Sequence, residues 1–315
     1  MQTEARYFVS GPILVTGGTG QVGGQLLELL APLGEVIAPG RTELDFTDIE
    51  GMRSVIRATR PRWIVNSAAY TAVDKAESEP KLAYAINAEA VRVIGEEAQQ
   101  IGAAVIHFST DYVFDGTASV PYSETDVATP TSVYGASKLA GERALEASGA
   151  AHMIFRTSWV YGAQGKNFLL TILKLAREKK TLRVVADQHG APTWSRDLAE
   201  MTAHVIQRCE QTSSQNREQL PQALARFGGM YHAAGAGETT WHGFAQEAVR
   251  LQERHETHQE FAEISAISTS EYPTAARRPA NSRLNCSKLR EDFGWRMMDW
   301  RESLEKVLAE LSCND

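Results

Sequence analysis

Three glycines spaced three apart, Gly17, Gly20 and Gly23, stand between a short apolar run, Ile13 to Thr16, and the leucine-rich segment Val22 to Leu33. A short apolar run that ends at glycine and passes into a segment of helical length and spacing reads as strand, turn and helix. Glycine there lets the backbone turn tightly, approach a pyrophosphate closely and pack the helix against the strand. The helix's first amides are then left aimed at the anion. The turn from Thr16 to Gly23 is thus a variant of the dinucleotide fingerprint. Gly18 to Gly23 also has the outer spacing of a nucleotide-triphosphate loop, but Gly24 and Gln25 stand where lysine and serine or threonine are needed. An NTPase reading fails there.

The alternation continues along the chain. Glu35 to Ala38 reads as strand, Asp48 to Thr59 as helix, Trp63 to Val65 as strand, Asp74 to Gln100 as helical sequence and Ala104 to Phe108 as strand. A helix over 131 to 148 leads to a strand at 152 to 156. Further strands are expected at Leu182 to Val185 and Met230 to Ala233. Repeated βα units predict an α/β fold, a Rossmann-like doubly wound parallel sheet with a smaller C-terminal α/β substrate lobe. The dinucleotide domain is expected over 1 to 156, with later segments near 182 to 233 packing back onto it. Residues 157 to 181 and 234 to 315 mainly form the smaller lobe. Gln211 to Gln219, rich in Ser, Gln and Asn, reads as a surface connection.

At 315 residues, 43% hydrophobic and 23% charged, the chain has the composition of a globular protein with a substantial core. Its formal net charge of -7, without a dense Lys/Arg run, gives no electrostatic footprint for nucleic acid. Cys209, Cys286 and Cys313 lie far apart with no CxxC spacing, which fits a reducing cytoplasm. Residues 1 to 12 hold Glu4 and Arg6 and lack a signal-peptide pattern, so they read as a short N-terminal extension. No span approaches transmembrane length, and no membrane partner is expected. His255 and His258 have helical spacing without a clear third ligand and read as a solvated face.

At the end of the second strand a carboxylate would bind an NAD ribose, and a cation would accommodate the NADP phosphate. The residues there are Pro39, Gly40 and Arg41. Arg41 points to NADPH, with NADH left open, and Asp45 and Phe46 are candidate adenine contacts. Tyr134 and Lys138 form a YxxxK pair on one helix face, and no other of the nine tyrosines has lysine four residues later. A neighbouring ammonium favours phenolate and lets a tyrosine deliver a proton near neutral pH, as ketone reduction requires. Thr110, at the end of the fourth strand, is the candidate donor to the carbonyl.

Together these residues resemble the extended short-chain dehydrogenase/reductases, and further segments narrow the resemblance to the dTDP-4-dehydrorhamnose reductase family. It rests on Val65 to Glu77, Ser109 to Gly116, Val133 to Glu142, Phe155 to Gly162, Asp187 to Thr193 and Arg278 to Leu284, and covers nearly the whole chain. The resemblance implies reduction by NAD(P)H of the C4 ketone of dTDP-4-dehydro-6-deoxy-L-mannose to dTDP-L-rhamnose, the last step of that sugar nucleotide's synthesis. It implies that Tyr134 donates the proton, that Lys138 tunes it and holds the nicotinamide ribose, and that Thr110 orients the carbonyl. Gly20, Gln21 and Val22 would line the pyrophosphate, and Ala69, Tyr70 and Thr71 would lie beside the cofactor. Asp111 and Trp159 would meet the sugar, with the 187 to 193 loop and Arg283 near the diphosphate. Magnesium enters only through the resemblance and has no site in the sequence; a homodimer is compatible with it.

The related 4,6-dehydratases place Asp-Glu after the threonine, whereas Asp111 is here followed by Tyr112. An epimerase or another nucleotide-sugar reductase stays open on chemistry alone. So does a non-catalytic subunit like the regulatory partner of methionine adenosyltransferase, although Thr110, Tyr134 and Lys138 favour an active enzyme.

Overall fold

The structure, a computed structural model, describes residues 8–216 and 219–313. Its centre is a parallel sheet of six strands: β1 (Ile13–Thr16), β2 (Val36–Ile37), β3 (Trp63–Asn66), β4 (Ala104–Thr110), β5 (Ala151–Thr157) and β6 (Gly229–His232). Their order is β6-β5-β4-β3-β1-β2. Every residue of β1, β3 and β4 is buried, as both faces of a parallel sheet must be. The chain winds from β1 outward to β2, then from β3 the other way. This puts a topological switch between β1 and β3, where such folds open a crevice beyond the strand ends.

Side chains alternate across the sheet with the period of two that extended backbone imposes. Ile13, Val15, Trp63, Val65, Ile106 and Phe155 face a core built with the helices Gln21–Leu30 and Ser195–Asn216. Leu14, Ile64, Val105 and Ile154 face the other, built with the helices Ile49–Thr59, Ala90–Ile101 and Val133–Ala147. Asp48 caps Ile49–Thr59 by accepting from the Gly51 amide, and Ser132 caps Val133–Ala147 by accepting from the Gly135 amide at 3.1 Å.

The smaller lobe packs the helices Phe168–Glu178, Trp241–His255 and Trp300–Ser312 around Tyr161, Trp194, Phe244 and Trp300. Here the structure departs from the sequence reading. The strand expected at Leu182 to Val185 does not continue the doubly wound order: Thr181–Val185 pairs in parallel with Glu263–Ile267 in the smaller lobe. Its Thr181 and Arg183 are exposed, a pattern suited to a half-covered ribbon rather than a buried central strand. Conversely, the helix Ser287–Phe293, placed by sequence in the smaller lobe, sends Leu289 and Phe293 into the core beneath the sheet.

Gln211 to Asn216 extends the helix Ser195–Asn216 rather than forming a loop, and residues 217 and 218 lie outside the described residues. The single helical stretch expected over 74 to 100 is broken into Val73–Ala76, Pro80–Tyr84, a π turn at Ala85–Glu89 and Ala90–Ile101. Pro80 stops continuous helix at its own position because it has no amide hydrogen to donate. Of the N-terminal extension, residues 1–7 lie outside the described residues. Val9 is buried and donates its amide to the Leu33 carbonyl at 2.8 Å.

The helix Ser195–Asn216 is tied to β3 by a buried carboxylate. Glu210 accepts from Arg62 Nε at 2.7 Å and Nη2 at 2.8 Å and from Trp63 Nε1 at 2.7 Å. Removing one partner leaves this charge under-compensated inside the protein. Because Arg62 is partly exposed, Arg62→Ala is expected to lower the unfolding free energy by about 2 kcal/mol, below the loss from breaking a fully buried pair. Urea denaturation measures it, and a change below about 0.5 kcal/mol contradicts it.

Candidate active site

One cavity of about 1110 Å³ runs along the carboxyl ends of β1, β3 and β4, and its walls include the glycine turn, Arg41, Thr110, Tyr134, Lys138 and Trp159. The volume suits an extended organic ligand, and the cavity lies at the switch between β1 and β3. Gly17 has φ +72°, in the left-handed region. A Cβ on Gly23 would stand 2.0 Å from the Gly17 carbonyl oxygen. The first turn of the helix Gln21–Leu30 therefore lies against the strand end, its amides facing the cavity. The result is a backbone-lined hollow that side chains would fill, of the kind that suits an anion. Gln21 and Val22 also line the cavity, and Gln21 Oε1 accepts from Asn167 Nδ2 at 3.0 Å, joining this turn to the smaller lobe.

The opposite wall is the loop Ala69–Tyr70–Thr71. Asn87, on the π turn, grips it by accepting from the Tyr70 amide at 2.8 Å and donating to the Tyr70 carbonyl at 3.0 Å. Asn87 also donates to Ser137 Oγ at 3.0 Å, which fixes the loop to the helix carrying Tyr134. The π turn, a feature frequent at functional sites, aims Asn87 inward. Farther along, Arg41 is exposed at the cavity rim. Phe46 is buried with its ring beside the cavity, while the Asp45 carboxylate accepts from the amide and hydroxyl of Thr47, each at 2.8 Å. Those Thr47 contacts hold Asp45 below the usual carboxylate range.

Thr110, Tyr134 and Lys138 come together from β4 and the helix Val133–Ala147, all buried. Burial pushes the Tyr134 phenol up, and a hydrogen bond with the Thr110 side chain opposes that rise. The Lys138 ammonium was expected to lower this phenol, but its Nζ is engaged elsewhere. It donates to the Phe108 carbonyl at 2.7 Å and lies 3.1 Å from His107 Nε2. Burial brings Lys138 itself down to about 8, with Glu142 opposing.

Asp111 is 3% exposed, and Thr110 Oγ1 donates to its Oδ1 at 3.0 Å while Oδ2 has no hydrogen-bond partner. Burial pushes this carboxyl up to about 6. Ser109 Oγ and Thr157 Oγ1, beside the same cavity, are likewise buried without partners. Such orphaned atoms are rare in a core and common where a ligand completes the set. Trp159 lines the cavity at φ +48°, stacked on Trp241 with ring centroids 3.7 Å apart. A non-glycine residue at positive φ is a strained position held by its surroundings. Here the Trp241 ring and Gly190, where a Cβ would approach the indole to 2.6 Å, hold it.

Arg283 does not line this cavity. Its guanidinium donates to Asn281 Oδ1, Glu238 Oε2 and the Ser119 carbonyl at 2.7 to 2.8 Å. Asp187 in the neighbouring loop accepts from the amide and hydroxyl of Thr269.

Four positions that pack at or beside the cavity were not singled out from sequence. Trp241 backs Trp159. Arg278 donates to Asp74 Oδ2 at 2.6 Å and to Tyr112 OH at 3.1 Å, closing the late segment over the site. Asn66 and His107 are polar residues on all-buried strands, and that anomaly was the signal available for them. Among the described residues no group of three His, Cys, Asp or Glu is placed to hold a metal, so the magnesium suggested by resemblance finds no side-chain cage. Nor is any described helix long and apolar enough to cross a membrane.

The profile of the RmlD substrate binding domain family matches residues 11–313. The dTDP-4-dehydrorhamnose reductase of Escherichia coli strain K12 is 45% identical over 305 residues, covering 95% of this chain and 97% of its own. The chain belongs to the dTDP-4-dehydrorhamnose reductase family. Among solved structures, the Clostridium acetobutylicum member superposes with TM-score 0.85 at 34% identity, covering 95% of this chain and 99% of its own. The Bacillus anthracis member, solved in complex with NADP, gives TM-score 0.84 at 34% identity over 96% and 100%. The resemblance read from sequence is therefore shown, as is the α/β parallel-sheet fold.

Asp111 supplies a pH test. A carboxyl raised by burial stabilises the fold while protonated and loses that contribution as pH rises through about 6. Asp111→Asn is expected to match the wild type in stability near pH 4 and to exceed it by about 2 kcal/mol at pH 8. Thermal or urea unfolding at both pH values checks this, and equal stabilities at pH 8 would contradict it.

Proposed function

We propose that this chain reduces the C4 ketone of dTDP-4-dehydrorhamnose to dTDP-L-rhamnose with NADPH, in the cytoplasm. One observation carries the reading. A single cavity is lined by the glycine turn, by Thr110, Tyr134 and Lys138, and by Asp111 and Trp159, so an electron donor and a sugar ketone can meet inside it. Family membership supports the substrate, and the NADP complex of the Bacillus anthracis relative supports the cofactor.

The cradle of Gly17, Gly20, Gln21, Val22 and Gly23 would hold the pyrophosphate, Arg41 the 2′-phosphate, Phe46 the adenine, and Ala69 to Thr71 the opposite face. When bound, the dinucleotide supplies the hydride. Tyr134 presents its hydroxyl to the carbonyl oxygen, where negative charge develops on reduction, and Thr110 adds a second once its proton turns from Asp111 Oδ1. Tyr134 delivers its proton to that oxygen, converting the ketone to the alcohol. Lys138 is held by the Phe108 carbonyl and His107, and a further Nζ proton is available to a ribose hydroxyl. Asp111 accepts from a sugar hydroxyl through its unpartnered Oδ2, and the Trp159 ring forms a flat wall for the sugar. The sheet then carries the dinucleotide while the smaller lobe covers the sugar end. Dehydration lacks its second acid, because Tyr112 follows Asp111 where the dehydratases place a glutamate.

Two variants test this in a coupled assay that makes the keto sugar in situ and follows loss of NADPH absorbance. Tyr134→Phe is expected to lower kcat about 100-fold or more with cofactor affinity retained; wild-type turnover removes its role as proton donor. Arg41→Ala is expected to weaken NADPH binding about 10-fold more than NADH binding, and equal losses exclude the phosphate contact. Wild-type chain that binds cofactor tightly but oxidises none favours the regulatory-subunit reading.

A further inference from the structure

Thr16, Asn66 and His107 occupy one register row across β1, β3 and β4, since Thr16 pairs with Asn66 and Asn66 with His107. Two residues earlier the same row reads Leu14, Ile64 and Val105, all apolar and all on the face beneath the helix Val133–Ala147. At its last step the row turns polar, and each member is at most 1% exposed. Thr16 Oγ1 donates to Asn66 Oδ1 at 2.5 Å, and Asn66 Nδ2 donates to His107 Nδ1 at 2.9 Å. Lys138 Nζ lies 3.1 Å from the other imidazole nitrogen, Nε2.

Donor and acceptor counting makes this row a two-state element. A neutral imidazole has one donor and one acceptor. With Nδ1 accepting from Asn66, the proton sits on Nε2 and points at Lys138, which must then be a neutral amine. For an ammonium at Lys138, Nε2 must accept, the proton must sit on Nδ1, and the Asn66 amide must turn so that its oxygen faces the ring. The two states differ by one proton taken up at Nζ from the cavity and one proton relocated from Nε2 to Nδ1. Turning Asn66 leaves the Thr16 hydroxyl without an acceptor, since among the described residues it donates only to Asn66 Oδ1. Thr16 therefore weights the row toward the amine.

We propose that His107 is a positioning residue that couples the charge on Lys138 to the Asn66 amide, with the Thr16 hydroxyl setting the balance between amine and ammonium. The remaining groups around Lys138 are consistent with this. Tyr134 and Glu142 share its helix, and Glu142 is paired with Arg156 of β5 at 2.6 Å. Asp111 follows β4, and His152, on β5, acts on His107. Burial holds His107 well below its ordinary range, so it stays neutral and acts through its tautomer rather than its charge. Burial likewise brings Lys138 to about 8, near enough to neutrality for the balance to matter.

The test is a pH titration of enzyme carrying 13C at the lysine Cε positions, read by NMR, with Lys138 assigned by the signal lost in Lys138→Met. Thr16→Val, which keeps shape and removes the hydroxyl, is expected to raise the Lys138 midpoint by about one pH unit although it does not touch Lys138. In a His107→Leu background the same substitution is expected to move the midpoint by less than about 0.3 pH unit, because the link is gone. If the Leu variant does not fold, His107→Gln takes its place, since an amide has no tautomer to exchange. An unchanged or lowered midpoint in Thr16→Val, or an equal rise in either His107 background, overturns the proposal. The alkaline limb of NADPH oxidation should move with the midpoint. That consequence rests on the role proposed for Lys138, whereas the titration does not. A Lys138→Met enzyme with wild-type kcat would refute the role of Lys138 and leave the coupling standing.

Discussion

The register of the parallel sheet is the constraint on which the rest depends. Because β1, β3 and β4 run in parallel with Thr16 opposite Asn66 and Asn66 opposite His107, their carboxyl ends reach one level. The segments that leave them, the glycine turn, the Ser67 to Thr71 loop and Ser109 to Asp111, then open into the same space. A slip by one residue would reverse which side chains face each core, exchanging Leu14 and Val15 along with the polar row beyond them. Burial on both faces makes that slip costly, so the apolar core fixes the site's geometry without contributing an atom to its chemistry.

A second constraint is the close approach of Gly23 to Gly17. With no room for a Cβ, the helix Gln21–Leu30 starts against the strand end, and its leading amides have no intrahelical partners. Its N-cap, Gly20, supplies no side-chain oxygen to satisfy them. Asp48, Ser132 and Thr240 meet that need with a side-chain oxygen for the helices they precede. The helix Gln21–Leu30 has no such cap and faces the cavity, where an anionic group can serve instead.

Legibility from sequence followed the range of the interactions. The βα alternation, the glycine turn and the Tyr134–Lys138 pair are local patterns, and the sheet and its crevice followed from them. Thr181–Val185 was misplaced because its partner, Glu263–Ile267, lies some eighty residues away and nothing in either segment names the other. The orientation of Lys138 was misjudged for a similar reason. Spacing puts Lys138 on the face of Tyr134, but the Phe108 carbonyl and His107 decide where Nζ points. Trp241 and Arg278 act through contacts with Trp159, Asp74 and Tyr112, which sequence separation hides.

The site also shows where the fold gives up stability. Ser109, Asp111 and Thr157 bury polar atoms without partners, each a cost of roughly 1–3 kcal/mol when left unmatched. Trp159 adds backbone strain at φ +48°. These costs fall within a few residues of the ends of β4 and β5, while the same strands deeper in the sheet are wholly apolar or fully bonded. A core of this size can carry such a local deficit because the surrounding elements hold its geometry fixed: the Asn87 grip on Tyr70, the Arg278 bridge to Asp74 and Tyr112, and the Trp241 stack. Fixed, unpaired donors and acceptors are what a sugar ketone and its hydroxyls require, since groups already desolvated and oriented need no reorganisation when charge develops on the carbonyl oxygen. The deficit in the fold and the unpaired groups beside the cavity are thus the same set of atoms.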